Sequence, residues 1–208
     1  MYKISVLGQK GGCGKTTLSI NLARGFQIAG ASVIVIDTDK QASSRDWYAQ
    51  SEGKYFNVIA IDTATTLEKD IKALGNFDIC IIDGTPKIKE MAVASIKLSD
   101  LVLLPIKPSP LDIWASSDFI ELIKEIKLIK EKLKVAFIIN MQNNKTKIKE
   151  SVRETLDSTG FKCLKNSVAQ RNDYIISLAQ GITAYEMTSK AREEVVALIN
   201  ELQEFINE

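Results

Sequence analysis

The 208-residue sequence contains no histidine and only three cysteines, Cys13, Cys80 and Cys163. Without histidine, this chain can build neither a Ser-His-Asp triad nor a His-ligated metal site. The cysteines are odd in number, far apart and lack a C-x-x-C spacing. That argues against a disulfide framework, a zinc knuckle and an iron–sulfur site, and Cys13 and Cys80 read as small core or loop residues. No apolar run approaches the roughly 20 residues that span a bilayer, so no transmembrane helix is expected. Met1-Tyr2-Lys3, followed by strand-like residues, does not read as a signal peptide, and a cytoplasmic protein is expected. Nor is either charge in excess: 27 Lys+Arg against 26 Asp+Glu leave a net charge of +1. This excludes a strongly basic nucleic-acid arm and an acidic tail, though not a local basic patch. Proline is scarce, and Pro105, Pro108 and Pro110 form its one cluster, a stiff loop.

What is present is ordinary for a globular chain, 45% hydrophobic and 25% charged. The length suits one domain over residues 1–208. Ile4–Leu7, Val33–Ile36, Ile79–Ile82, Leu101–Leu104 and Val135–Ile139 are short Val/Ile-rich runs. They suit strands buried on both faces. Amphipathic stretches alternate with them. Over 119–133, Leu122, Ile126, Ile129 and Leu133 share a predicted helical face; over 188–206, Val195, Leu198, Ile199, Leu202 and Ile206 do so. The expected fold is α/β, a mostly parallel twisted sheet with helices on both faces. Asp37, Asp83 and Asn140 fall at strand ends, the edge where open parallel sheets bind ligands.

Residues 8–17, Gly8-Gln9-Lys10-Gly11-Gly12-Cys13-Gly14-Lys15-Thr16-Thr17, link a strand to a helical pattern at Leu18–Ala29. That is the context of a P-loop. Glycines let backbone N–H groups turn toward phosphate oxygens, and the helix N-terminus adds partial positive charge. Lys15 would reach the β/γ-phosphates of a bound nucleotide and the Thr16 hydroxyl would ligate Mg²⁺. Gln9 breaks the strict G-x-x-x-x-G-K-[ST] pattern. Lys10-Gly11-Gly12-x-Gly14-Lys15-Thr16-Thr17 is instead the deviant Walker A form, with a second lysine near the loop's start.

Here the chain resembles the ParA/MinD family of ATPases, the small ParF-like plasmid-partition type most closely, over nearly its whole length. The resemblance implies a P-loop NTPase fold, ATP and Mg²⁺ as cofactors, and an ATP-dependent nucleotide-sandwich homodimer. Lys10 would then reach the partner's phosphates, where a second positive charge stabilises the transferring phosphoryl group; otherwise it is a solvated loop lysine. Gly11, Gly12, Cys13, Gly14, Lys15, Thr16 and Thr17 would bind the phosphates. Asp37-Thr38-Asp39-Lys40-Gln41 resembles the family's D-x-D-P-Q segment with Lys40 in place of proline, which leaves the loop less rigid. Asp39 would orient or deprotonate the attacking water, and Asp37 would support Mg²⁺ or the P-loop. The residues alone also suit a helix N-cap and a turn. Ile79-Cys80-Ile81-Ile82-Asp83 reads as Walker B, with Asp83 holding the Mg²⁺ water shell. Gly84-Thr85-Pro86 resembles the switch that senses the γ-phosphate, Gly84 supplying backbone freedom. Asp112 would cap a helix beginning near Ile113 or serve a catalytic or interface role. Asn140 stands where the family contacts adenine, or in a simple turn.

The motif does not select the partner. The leading expectation is a partition ATPase that is stimulated by a ParB-type centromere-binding protein, binds DNA non-specifically and sits on the nucleoid. Residues 119–165 carry 11 basic and 6 acidic residues. Lys145, Lys147, Lys149, Arg153, Lys162 and Lys165, with Arg171 beyond, are candidate phosphate contacts. The alternatives are a MinD-like membrane-cycling or protein-scaffold positioning ATPase. A membrane role needs a basic amphipathic C-terminal helix, whereas residues 166–208 hold 3 basic and 7 acidic residues. A metallocluster enzyme lacks its cysteines here, and a scaffold with a dead P-loop conflicts with Lys15, Thr16, Asp39 and Asp83 all standing. No helix-turn-helix extension precedes the P-loop strand, so operator-specific DNA binding is not expected.

Overall fold

The computed structural model describes residues 1–85, 89–143 and 148–208, with the side chains of 148 and 149 left aside. Its strands are β1 (Tyr2–Val6), β2 (Val33–Asp37), β3 (Asn57–Ala60), β4 (Ile79–Asp83), β5 (Leu101–Ile106), β6 (Lys134–Ile139) and β7 (Lys162–Cys163). The helices are α1 (Lys15–Ile28), α2 (Ser43–Gln50), α3 (Ala64–Asp70), α4 (Lys89–Leu98), α5 (Pro110–Trp114), α6 (Ser117–Ile129), α7 (Ile148–Asp157), α8 (Asn172–Ala179) and α9 (Lys190–Asn207). The strands form one sheet in the order β3-β2-β4-β1-β5-β6-β7. Every named pairing is parallel. Parallel strands need crossovers, and the crossovers cover both faces with helices. The expected α/β class is the observed one.

Alternate side chains of each strand feed opposite faces. Ile4, Val6, Val35, Ile81, Leu103 and Ile138 pack with α1 and α9. Val102, Leu104, Phe137 and Ile139 pack with α6, while Ile34, Ile36 and Ile82 pack with α4. This period of two explains why five strands are legible as apolar runs. The two edge strands were not expected. β3 has four residues with its ends exposed, and β7 has only two. Neither presents the doubly buried run that marks the others.

The helix expected over 119–133 is α6, and its buried face is different. Phe119, Ile120, Ile123 and Ile126 are buried, while Ile129 is 91% exposed and Leu133 lies beyond the helix end. The sheet sets the rotation of the helix and overrides the stripe chosen from spacing. Pro105 is another departure: it lies inside β5 and pairs with Ile138, rather than in a loop. It is tolerated because the β1 ladder ends at Leu103, so no partner on that side needs its missing N–H. On α9 the apolar stripe is as expected, with Val195, Leu198, Ile199 and Leu202 buried. It packs so closely on α1 that a Cβ on Gly25 would lie 2.5 Å from the Ile199 side chain.

Candidate functional site

β1 stands near the middle of the sheet, and the loop after it carries the glycine-rich motif. Gly14 ends that loop in the left-handed region, at φ 88°, as the residue before α1. A Cβ there would stand 2.2 Å from Asn140 Nδ2, so both the conformation and the contact require glycine. Asn140, at the end of β6, donates from Nδ2 to the Cys13 carbonyl at 2.7 Å and braces the loop from below. The loop folds around Lys15, whose buried Nζ donates to the Lys10 carbonyl at 3.1 Å and approaches Cys13 Sγ at 3.8 Å. Gly11 and Gly12 are exposed beside it. The backbone therefore already has the curvature of a phosphate cradle, with one ammonium held inside and the α1 N-terminus behind.

Asp83 ends β4 next to this cradle and is 2% exposed. Its carboxylate accepts from Thr16 Oγ1 at 2.8 Å, Ser44 Oγ at 2.7 Å and Ser19 Oγ at 3.1 Å. Burial, with the Asp37 charge next door, pushes its carboxyl up to about 6; the three hydroxyls act against that rise without cancelling it. A hydroxyl and a buried carboxylate in direct contact beside a glycine cradle are the oxygen donors Mg²⁺ takes. Thr16 and Asp83 thus offer donors of the kind a magnesium nucleotide takes.

Asp37 lies beside Asp83 on the neighbouring strand, but its oxygens point elsewhere. Oδ1 accepts the Asp39 N–H at 2.9 Å, and Oδ2 accepts the Arg45 N–H at 3.2 Å and faces Arg45 Nε at 3.6 Å. Its observed contacts are therefore with the loop after β2, where the sequence pointed to Mg²⁺ or the P-loop. Asp39 is half-buried, and its Oδ1 accepts the Gln41 N–H at 3.0 Å, the turn geometry that the residues alone allowed. Thr38 joins two loops: its hydroxyl donates to the Asp83 carbonyl at 2.8 Å and accepts the Thr85 N–H at 3.3 Å. Gly84 is there for closeness, since a Cβ would lie 2.2 Å from Leu7 Cδ2. Pro86 lies outside the described residues. Sequence reasoning missed Ser19, Thr38, Ser44 and Arg45. Only Ser19 gave a signal, standing one turn after Thr16 on the same helix.

Lys10 extends from the rim of the loop to α5, where Nζ pairs with Asp112 Oδ1 at 3.0 Å and donates to the Leu111 carbonyl at 3.4 Å. Asp112 is no helix cap: α5 begins at Pro110, placing Asp112 inside the first turn. Leu111 and Trp114 on the same short helix are 66% and 69% exposed. On the other side of the P-loop is a cavity of about 260 Å³, walled by Thr17, Met141, Val168, Ile175 and Leu178. Its largely apolar lining suits a purine ring. Asn140 also lines it, with one amide hydrogen already committed to Cys13.

Among the described residues, part of the expected basic surface is engaged in contacts within the chain. Arg153 donates to the carbonyls of Cys163, Leu164 and Lys165. Lys162 pairs with Glu208 at 3.1 Å and Arg171 with Glu194 at 2.6 Å. Lys165 is exposed, Lys145 and Lys147 lie outside the described residues, and the Lys149 side chain does too. Glu208, just past α9, therefore sits against Lys162 of the basic segment, and Glu194 of α9 against Arg171 beyond it, contacts that the sequence does not display. No described helix is long and apolar enough to cross a membrane.

Comparison with known proteins follows the same lines. The profile of the CobQ/CobB/MinD/ParA nucleotide binding domain matches residues 4–184. The maintenance of carboxysome distribution protein A of Halothiobacillus neapolitanus is 27% identical over 208 residues, covering 97% of this chain and 96% of that protein. Protein ParA of Rhizobium radiobacter is 25% identical over 207 residues, covering 96% and 92%. Among solved structures, a protein of Borrelia burgdorferi bound to AMPPNP superposes with a TM-score of 0.78 at 17% identity, covering 98% and 99%. MinD of Pyrococcus horikoshii with Mg-ADP gives 0.73 at 19%, covering 98% and 96%.

Proposed function

Because the chain belongs to the CobQ/CobB/MinD/ParA family of deviant Walker A nucleotide-binding ATPases, we propose that it is a positioning ATPase of the partition type. It binds Mg·ATP, pairs with a second copy, moves on non-specific DNA and turns ATP over slowly until a ParB-type partner stimulates it. The observation that carries this reading is the Thr16–Asp83 contact at 2.8 Å beneath a glycine cradle, with Lys10 on the rim. Bound nucleotide supplies the transferable phosphoryl group and Mg²⁺ neutralises its charge. Lys15 and the N-terminal amides of α1 hold the phosphates, the apolar cavity takes the base, and Asn140 keeps the cradle in shape. Asp39 rotates off Gln41 to orient the attacking water. Lys10 leaves Asp112 and reaches a partner's phosphates, and exposed Leu111 and Trp114 bury against that partner.

The cargo is a large assembly. The Halothiobacillus relative is named for distributing carboxysomes and other relatives are named ParA and IncC, so a protein microcompartment and a plasmid both lie within this reading. The test is DNA binding with ATP, ADP or no nucleotide across a salt series. Binding with ATP alone, unselective in sequence and falling steeply with salt, is expected. ATP-dependent dimers without DNA binding would instead point to a protein or membrane track, in keeping with the ion pairs of Lys162 and Arg171. Asp39→Ala is expected to hold the ATP-bound dimer; unchanged turnover would remove Asp39 from the role.

A further inference from the structure

We infer that Arg45 is the positioning residue for Asp39, restraining the loop in which Lys40 stands. This rests on the ATPase reading above and names the group that sets its water-orienting carboxylate. Lys40 has none of the fixed backbone torsion of a proline, and among the described residues its N–H has no hydrogen-bond acceptor. Beyond it the Gln41 N–H donates to Asp39 Oδ1 at 3.0 Å, and Ala42 sits in the left-handed region at φ 63° and donates its N–H to the Asp39 carbonyl at 3.0 Å. A non-glycine residue there must be held by its surroundings. Arg45 holds both ends. Its Nη2 donates to the Asp39 carbonyl at 3.2 Å, its own N–H donates to Asp37 Oδ2 at 3.2 Å, and its Nε faces that oxygen at 3.6 Å. The Asp37 side chain is 0% exposed and accepts the Asp39 N–H at 2.9 Å, so Asp39 is gripped through both its N–H and its carbonyl. Arg45 starts in the first turn of α2, which carries Ser44, an acceptor-filling partner of Asp83. The guanidinium thereby ties Asp39 to the same short helix that touches the candidate metal site. Lysine has one cationic centre and cannot span both acceptors as the planar fork does.

The test uses the full chain with Arg45→Lys and Arg45→Met, each alone and with Lys40→Pro. Arg45→Lys keeps a positive charge beside buried Asp37, and so guards against simple unfolding of Arg45→Met. Thermal melting confirms that each variant folds. The readouts are amide hydrogen exchange over residues 39–44 without nucleotide, and kcat and KM for ATP. Both single variants are expected to exchange at least tenfold faster over 39–42, and to lose about tenfold in kcat with KM changed less than twofold. Lys40→Pro is expected to recover most of both losses. Unchanged exchange, a rise in KM with kcat intact, or no recovery by Lys40→Pro in a folded variant would each overturn the assignment. A parent protein that does not hydrolyse ATP would overturn the ATPase reading alone, since the exchange measurements still report on Arg45.

Discussion

At Asp83 a buried carboxylate is surrounded by hydroxyls but by no cation within hydrogen-bond reach among the described residues, and its pH behaviour follows. Its carboxyl titrates at about 6 in the folded chain against an ordinary 3.8. Between those values the folded state binds more protons than the unfolded one, so this group's contribution makes stability fall as pH rises from about 4 to 6. Asp83→Asn is expected to flatten that slope in thermal melts and to gain up to about 3 kcal/mol at neutral pH. It should also abolish Mg²⁺-dependent ATP turnover. A slope unchanged by Asp83→Asn would show that the carboxylate is ionised throughout. Lys10 and Asp112 form a half-exposed pair worth roughly 0.2–1 kcal/mol. Asp112→Ala should therefore lower the ATP concentration needed for half-maximal dimer by about 1.4- to fivefold in sedimentation, and no change would mean the pair does not restrain Lys10. Lys15, Thr16 and Asp83 were legible because a contiguous motif and a strand end carry them. Thr38, Ser44 and Arg45 were not: Thr38 and Ser44 meet Asp83 through the register of β2 against β4, Arg45 meets Asp37 and Asp39 through the fold of the loop after β2, and common polar residues in a loop announce no partner.

Among the elements, the P-loop is the one whose sequence most tightly constrains its geometry. Gly14→Ala would put a Cβ 2.2 Å from Asn140 Nδ2 at a φ of 88°, with a left-handed penalty of about 1–2 kcal/mol. Calorimetry should show at least a tenfold loss of ATP affinity in a protein that still folds. Full affinity would mean that Asn140 simply moves aside. Helix α5 gives a second prediction. Trp47 is 5% exposed and Trp114 is 69% exposed, so a change in tryptophan emission on dimerisation belongs to Trp114. A blue shift with Mg·ATP, absent in Trp114→Phe, is expected; no shift would place the partner elsewhere. Five interior strands were readable because burial on both faces leaves no polar alternation to confuse them. The face of α6 was not, because Leu122, Ile126, Ile129 and Leu133 keep helical spacing while the sheet contacts Phe119, Ile120, Ile123 and Ile126 instead.

Across the whole molecule, charge that is separated in sequence is brought together in space. The net +5 of residues 119–165 lies partly against the net −4 of residues 166–208, through Lys162–Glu208 within that pairing and Glu201 accepting the Lys165 N–H. Among the described residues, Lys162 is thus partly neutralised, and dimerisation would double whatever basic patch remains. The central claim is that nucleotide assembles that dimer through Lys10. Its direct test is the mass of the protein in solution with Mg·ATP, with Mg·ADP and without nucleotide, for the parent chain and for Lys10→Ala. A dimer with Mg·ATP alone, lost in Lys10→Ala, is the predicted result. A mass independent of nucleotide, or a Lys10→Ala dimer equal to the parent's, would contradict it.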